Sequence, residues 1–231
     1  MKILFEKYKR KLNELKEKKD KDPKITFYEV IWVFVIGCII GFVAEMIWSF
    51  LAEGFIMSRK GVIYGPFIPV YGFGAIVFVI FYQKMRKANY FVLFLVFMVI
   101  GGGFEYICSV VQENLTGTVS WDYSNSPFNI NGRTNLAYSI IWGIMGATFL
   151  KYVYPFVDEF IKFIHKKTGN ILTILVFIFM IFDMGISVLA VRRQVERRNG
   201  EPPDSSFESF LDDQYTDEFL KEIYPNMIVI D

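Results

Sequence analysis

The sequence is poor in the residues that build metal centres and disulfide frameworks. It holds one His and two Cys in 231 residues. Cys38 and Cys108 both stand inside apolar runs, which reads as two buried thiols rather than a disulfide or a thiolate metal site. His165 lies in a basic stretch with no Cys or His nearby, so a histidine-based metal site is not expected. No Gly-x-x-x-x-Gly-Lys-Ser/Thr loop occurs, so the chain has no phosphate loop with which to hydrolyse ATP by itself. An excess of one charge is missing too. The 25 Lys and Arg against 24 Asp and Glu leave a formal charge of +1, with no global pull toward nucleic acid.

Along most of the chain, charge itself is scarce. Charged residues crowd into the first twenty-odd positions, the last forty and two short basic patches. Between them the chain is apolar, and the whole is 53% hydrophobic and 18% aromatic with 25 Phe. That excess over ordinary globular usage excludes a soluble domain, a disordered chain and a disulfide scaffold.

Five segments, at 28–52, 65–83, 90–111, 136–155 and 171–191, have the roughly twenty residues a helix needs to cross about 30 Å of hydrocarbon. Backbone groups in lipid must be satisfied within their own segment, which selects helices. The expected fold is therefore all-α: a polytopic membrane protein with five transmembrane helices, a duplicated helical hairpin plus a fifth helix. Residues 1–26 read as a basic amphipathic cytoplasmic helix, 27–200 as the five-helix domain and 201–231 as an acidic extracytoplasmic tail. In the first region Phe5, Tyr8, Leu12 and Leu15 form one stripe on a lysine-rich helix, suited to the anionic membrane surface or to a coiled-coil partner. The first apolar run is too long and starts too late for a cleaved signal peptide. The second span is the least regular, because Gly65, Pro66, Pro69, Gly72 and Gly74 crowd its first half. It is expected to begin as a broken or re-entrant helix.

Orientation follows from Lys and Arg in the flanks. One side would carry the N-terminal lysines, then Lys84, Arg86 and Lys87, then Lys151, Lys162, Lys166 and Lys167. The other would carry Arg59, Lys60, Arg133 and the cluster Arg192, Arg193, Arg197 and Arg198. The first side is the more basic and should be cytoplasmic, with the N-terminus inside. The last arginine cluster is the dissenting signal. The connectors expected on that inner side, 84–89 and 156–170, are short. Phe156, Phe160 and Phe163 in the second suit a small docking helix or one lying on the membrane.

A repeat runs through the spans. Glu45-x-Ile47-x-Ser49-x-x-x-Glu53 lines up with Glu105-x-Ile107-x-Ser109-x-x-x-Glu113. A Pro-Phe pair follows each, Pro66-Phe67 and Pro127-Phe128, and the fifth span repeats the core as Asp183 to Ser187. On a helix the acid and the Ser four residues on share a face. Glu45, Glu105 and Asp183 then lie at matched depth, roughly 9–12 Å below the outer boundary at 1.5 Å per residue. Carboxylates there avoid lipid. They either line one polar cavity or each bind their helix to a neighbour. Arg133 and Arg192 are the cationic residues on the same side, Arg192 alternatively serving as a helix-end anchor. Tyr64, Tyr71, Trp121 and Asp122 come from outer loops rich in Gly, Pro and aromatics. Trp121 and Tyr123 fit an interface belt or a lid over the cavity. The candidate substrate-binding set is thus Glu45, Glu105, Asp183, Arg133, Tyr64, Tyr71, Trp121, Asp122 and Arg192. No resident cofactor is evident, although such oxygen ligands could hold a divalent cation.

At these motifs the chain resembles a bacterial membrane-protein family, the ABC-transporter type IV permeases of the CmpB kind. The residues concerned are Tyr64-Gly65-Pro66-Phe67 with Pro69, and Tyr71-Gly72-Phe73-Gly74. Glu105-Tyr106 follows, then Trp121-Asp122-Tyr123-Ser124 with Asn131-Gly132-Arg133, and Trp142-Gly143. Glu196-Arg197-Arg198-Asn199-Gly200 and Tyr224-Pro225-Asn226-Met227 in the tail also resemble it, so coverage runs from about residue 28 onward. The resemblance implies a multi-pass protein of the bacterial plasma membrane, a solute as cargo and a separate ATPase subunit as partner. Membrane lipids are the other expected partner; the oligomeric state is open. Three functions fit: permease-like binding or translocation of a small solute, a membrane enzyme using carboxylate acid–base chemistry on a lipid or phosphate-bearing substrate, and a non-catalytic interaction subunit.

Overall fold

The computed structural model describes residues 25–230, except for the side chains of 165–169. The lysine-rich amphipathic segment and the surroundings of His165 lie outside the described residues. The chain is an all-α polytopic membrane protein. Its principal helices are α1 (Phe27–Glu53), α2 (Pro69–Lys84), α3 (Tyr90–Thr116), α4 (Leu136–Thr148) and α5 (Tyr154–Arg198). Two tail helices follow, α6 (Ser206–Gln214) and α7 (Asp217–Ile223). The described residues also hold four two-residue strands: β1 (Thr118–Val119), β2 (Asn129–Ile130), β3 (Thr134–Asn135) and β4 (Ile228–Val229).

Each helix start has a local cause. Thr26 and Glu29 form a reciprocal capping box at α1, with Glu29 N–H to Thr26 Oγ1 at 3.2 Å and Thr26 N–H to Glu29 Oε2 at 2.9 Å. Asn89 caps α3 and Asn135 caps α4 through single bonds, accepting from Val92 N–H at 2.9 Å and Tyr138 N–H at 2.8 Å. Both α1 and α3 stop at a left-handed glycine, Gly54 (φ 79°) and Gly117 (φ 70°). Each has 27 residues, about 40 Å of helix at 1.5 Å per residue, which is ample for a membrane.

The second span differs from its expected bounds. The helix begins at Pro69, not at 65, and its 16 residues make about 24 Å, less than the hydrocarbon thickness. Among the described residues the four stretches long and apolar enough to cross are Phe27–Glu53, Tyr90–Thr116, Leu136–Ile164 and Asn170–Arg198. The broken start is real: residues 54–68 carry no helix. Ile68 N–H reaches the carbonyl of Cys38, twelfth of the 27 residues of α1, at 3.3 Å. The chain therefore enters to mid-helix depth before α2 begins.

The connector at 156–170 is helical, and it is continuous with the last span rather than a separate small helix. α4 continues through a π-helical turn, Phe149–Val153, directly into α5. Pro155 lacks the N–H that an α-turn would use there, which accounts for the wider turn. Val157, Ile161 and Ile164 are buried in the main core with Tyr28 and Trp32, and Phe156, Phe160 and Phe163 face outward. The stripe Val157-x-x-x-Ile161-x-x-Ile164 is a helical period that binds this segment to the bundle.

α1 with α2, and α3 with α4, pack as two hairpins. Gly41 lets the Tyr71 ring lie directly on α1: an added Cβ there would stand 2.3 Å from Tyr71 Cγ. Gly101 does the same for Trp142 on α3, where a Cβ would stand 2.4 Å from the Trp142 Cβ.

The tail folds back on the motif end. β4 pairs antiparallel with β1, Thr118 opposite Val229. Leu211, Tyr215 and Leu220 bury against Ile63, Ile186 and Ala190. Arg193, 2% exposed, grips Asp212 with two bonds of 2.9 and 3.1 Å. Arg197 bonds Asp212 at 2.6 Å and Asp217 at 2.6 and 3.1 Å. Two of the four dissenting arginines thus hold the tail.

Arg193, then Arg197, hold the Asp212 carboxyl below the usual carboxylate range. A lowered folded value contributes stability above the unfolded value near pH 4 and loses it as pH falls below that. A nitroxide on Ser209→Cys, in a Cys108→Ser background, should become mobile as pH drops from 5 to 3. Asp212→Asn should be mobile already at pH 7. Identical titrations for the two proteins would refute this anchoring.

Candidate functional site

The repeat places matched groups in matched positions. Gly41 and Gly101 each precede an acid by one helical turn, Glu45 and Glu105. Tyr71 and Tyr138 are each the third residue of the second helix of a hairpin. Eight residues beyond the acids, Glu53 pairs with Arg59 at 2.7 Å and Glu113 pairs with Arg133. The hydroxyl positions between them are buried in both hairpins, Ser49 at 0% and Ser109 at 2% exposure.

Glu105 and Glu45 belong to one aromatic cluster. Glu105 is 5% exposed and accepts hydrogen bonds from Thr134 Oγ1 at 2.8 Å and Tyr123 Oη at 3.1 Å. The half-buried Glu45 accepts a short bond from the Tyr71 hydroxyl. The Tyr71 ring lies 5.5 Å from Trp142, which packs on Gly101 one turn from Glu105. Tyr123 stacks on Tyr138 at 4.5 Å and 23°. Tyr138 lies within electrostatic range of both Glu45 and Glu105. Burial, and then the nearby Glu105 charge, push the Tyr123 phenol upward, so it remains a donor at neutral pH.

The loop that delivers Tyr123 is built by the other motif residues. Asp122 Oδ1 accepts from Ser124 N–H at 2.8 Å and Ser124 Oγ at 2.6 Å, which holds its carboxyl below the usual range. Trp121 Nε1 donates to the Arg133 carbonyl at 2.8 Å, and Tyr123 N–H to the Gly132 carbonyl at 2.7 Å. Gly132 (φ 68°) has no room for a side chain, since a Cβ would stand 2.6 Å from Asp122 Oδ1. Trp121 and Asp122 therefore shape the loop. Arg133 turns to Ser109 Oγ at 3.1 Å and to Glu113, and its ion-pair partner is not Glu105.

Asp183 has a different set of contacts. Its Oδ1 accepts from Tyr64 N–H at 3.0 Å, and Ser187 Oγ one turn on accepts from Ile63 N–H at 2.9 Å. The Tyr64 hydroxyl meets that of Tyr215 in the tail at 3.0 Å. Asp183 is fully buried, and the charged and phenolic groups around it are Lys60, Tyr215 and Tyr224. Arg192 is exposed and pairs with Glu196 at 3.0 Å, apart from both sets. Of the nine candidates the structure joins Glu45, Glu105 and Tyr71. It sets Asp183 with Tyr64, and Trp121, Asp122 and Arg133 in the supporting loop. Sequence reasoning missed Thr134, Tyr138 and Trp142 as members of the cluster. The register of Tyr138 against Tyr71 was the available signal. Among the described residues no group of three or more His, Cys, Asp or Glu gathers as a metal site.

The fold is that of a multi-pass α-helical membrane protein, with a carboxylate–aromatic cluster between its two helical hairpins. A protein-family profile described as "Putative ABC-transporter type IV" matches residues 32–188, and the chain belongs to this family. The match takes in the two hairpins and Asp183 but ends before the tail motifs. No curated protein and no solved structure gives a significant match.

Proposed function

We propose that the chain is the membrane-embedded permease component of a transport system and receives a small solute at the Glu45–Tyr71–Glu105 cluster. One observation carries this reading. Two acids in equivalent hairpin positions share an aromatic surface, while the nearest arginines, Arg59 and Arg133, are engaged by Glu53 and Glu113. Among the described residues the cluster brings together two carboxylates, ring faces and hydroxyl donors, and the one arginine whose charge reaches it, Arg59 beside Tyr138, is paired with Glu53. That chemistry favours a cationic solute held between carboxylates and aromatic rings. Asp183 serves the same site by fixing the segment that leads into Tyr71. The energy would come from a separate ATPase, since the chain has no phosphate loop. The face carrying Lys84, Lys87, Phe156, Phe160 and Phe163 is the surface offered to it.

Tetramethylammonium is the simplest probe. It should raise the thermal midpoint of the purified protein beyond an equal concentration of sodium chloride, because a ligand bound only by the folded state stabilises it. Glu45→Gln and Glu105→Gln should each abolish that shift. A shift retained in both variants, or one matched by sodium, would refute the cationic site.

The basic imbalance supports a cytoplasmic N-terminus with the cluster and tail outside. In a Cys108→Ser background, Asn125→Cys should react with an impermeant maleimide in intact cells. Lys87→Cys should react only after permeabilisation. The opposite pattern would invert the topology.

A further inference from the structure

Helix α6 has two sides with different fates. Its polar side is tied down through Asp212, and Leu211 is 2% exposed in the tail core. On the remaining side Phe207 and Phe210 stand 49% and 48% exposed, with rings stacked at 6.3 Å and 24°. Such rings facing water would be poor use of a short helix whose other exposed positions, Ser206, Ser209, Asp213 and Gln214, are all polar.

The neighbouring surface identifies what meets them. The outward side of α5 is apolar from Ile171 to Leu189, with Ile178, Phe182 and Leu189 exposed by 58%, 57% and 42%. It becomes charged at Arg192, whose side chain is 65% exposed. That change marks where α5 leaves the hydrocarbon. Leu189, Arg192, Phe207, Glu208 and Leu211 line one notch of about 230 Å³, so α6 sits at that boundary and Phe207 continues the apolar surface of α5.

We propose that α6 is an interfacial membrane helix: Phe207 and Phe210 insert into the leaflet at the Arg192 end of α5, and lipid helps to hold the tail on the bundle. The chemistry is that of an amphipathic helix lying in the interface plane, Phe207 and Phe210 among acyl chains and Ser209 and Asp213 in water. Two phenylalanines bury at most about 300–500 Å². That is below the roughly 800 Å² per partner of a specific protein interface, so a leaflet is the better occupant than a second copy. The inference is independent of the solute site and of which side is outside.

Spin-label accessibility tests it in the full chain, reconstituted in phosphatidylethanolamine–phosphatidylglycerol vesicles. Nitroxides go on Phe207→Cys, Phe210→Cys, Ser209→Cys and Asp213→Cys, each with Cys108→Ser; Cys38 is 0% exposed. Labels at 207 and 210 should relax several-fold faster with oxygen than with a water-soluble nickel chelate. Labels at 209 and 213 should show the reverse preference. Nickel reaching 210 as readily as 213 would overturn the proposal by placing the helix in water. Exclusion of both reagents at 207 and 210 would overturn it in favour of a protein partner.

Discussion

A backbone N–H or C=O inside a bilayer has no water to bond, and the architecture around residues 54–68 answers that constraint. This stretch enters to the depth of Cys38 without being helical, so its amides need partners from elsewhere. Three come from other elements: the Cys38 carbonyl for Ile68, the Ser187 hydroxyl for Ile63 and the Asp183 carboxylate for Tyr64. An acid fully buried in an otherwise apolar helix is costly, and here it takes a backbone donor that would itself be orphaned. Each offsets part of the other's cost through Oδ1, while Asp183 Oδ2 is buried without a hydrogen-bond partner.

From that fixed segment the rest of the site is positioned. Because α2 starts only at Pro69, Tyr71 falls in its first turn and swings onto Gly41, where its hydroxyl meets Glu45. The second hairpin reaches the same end by different means, with Asn135 starting α4 and a knotted loop of Trp121, Asp122 and Gly132 sending Tyr123 to Glu105. Equivalent ion pairs, Glu53–Arg59 and Glu113–Arg133, close the hairpin mouths. They hold both arginines against outer glutamates, and of the two only Arg59 reaches the cluster, beside Tyr138. The tail joins through Tyr215 on Tyr64, so it seals the Asp183 contacts rather than hanging free.

Much of this was legible in the sequence because membranes enforce a simple pattern. Apolar length gave the helices, and the Gly and Pro crowd at 65–74 gave the broken start. The Glu-x-Ile-x-Ser-x-x-x-Glu repeat gave the paired acids and even the paired outer glutamates. What could not be read was which acid meets which partner. Helical spacing puts Asp183 at the same depth as Glu45 and Glu105, but depth carries no azimuth. Only packing decides that Asp183 turns to Tyr64 while the others turn to Tyr71, Tyr123 and Thr134. Arg133 was legible as a mouth residue, yet its choice of Glu113 over Glu105 follows from the loop turn at Asn131 and Gly132. A helix past 155 was legible, but its lysines hid that it runs on into the last span and buries Val157, Ile161 and Ile164 in the core.

Amide hydrogen exchange at Ile63 and Tyr64 tests the central claim, that Asp183 secures the non-helical segment at membrane depth. In the native protein both amides should be protected. Asp183→Leu keeps the volume but removes the acceptor, and an unsatisfied buried amide costs about 1–3 kcal/mol. Protection at Tyr64 should then fall by about ten- to a hundredfold, with Leu93 and Phe97 in the core unchanged and Asp183→Asn close to native. Undiminished protection of Tyr64 in Asp183→Leu would contradict the account.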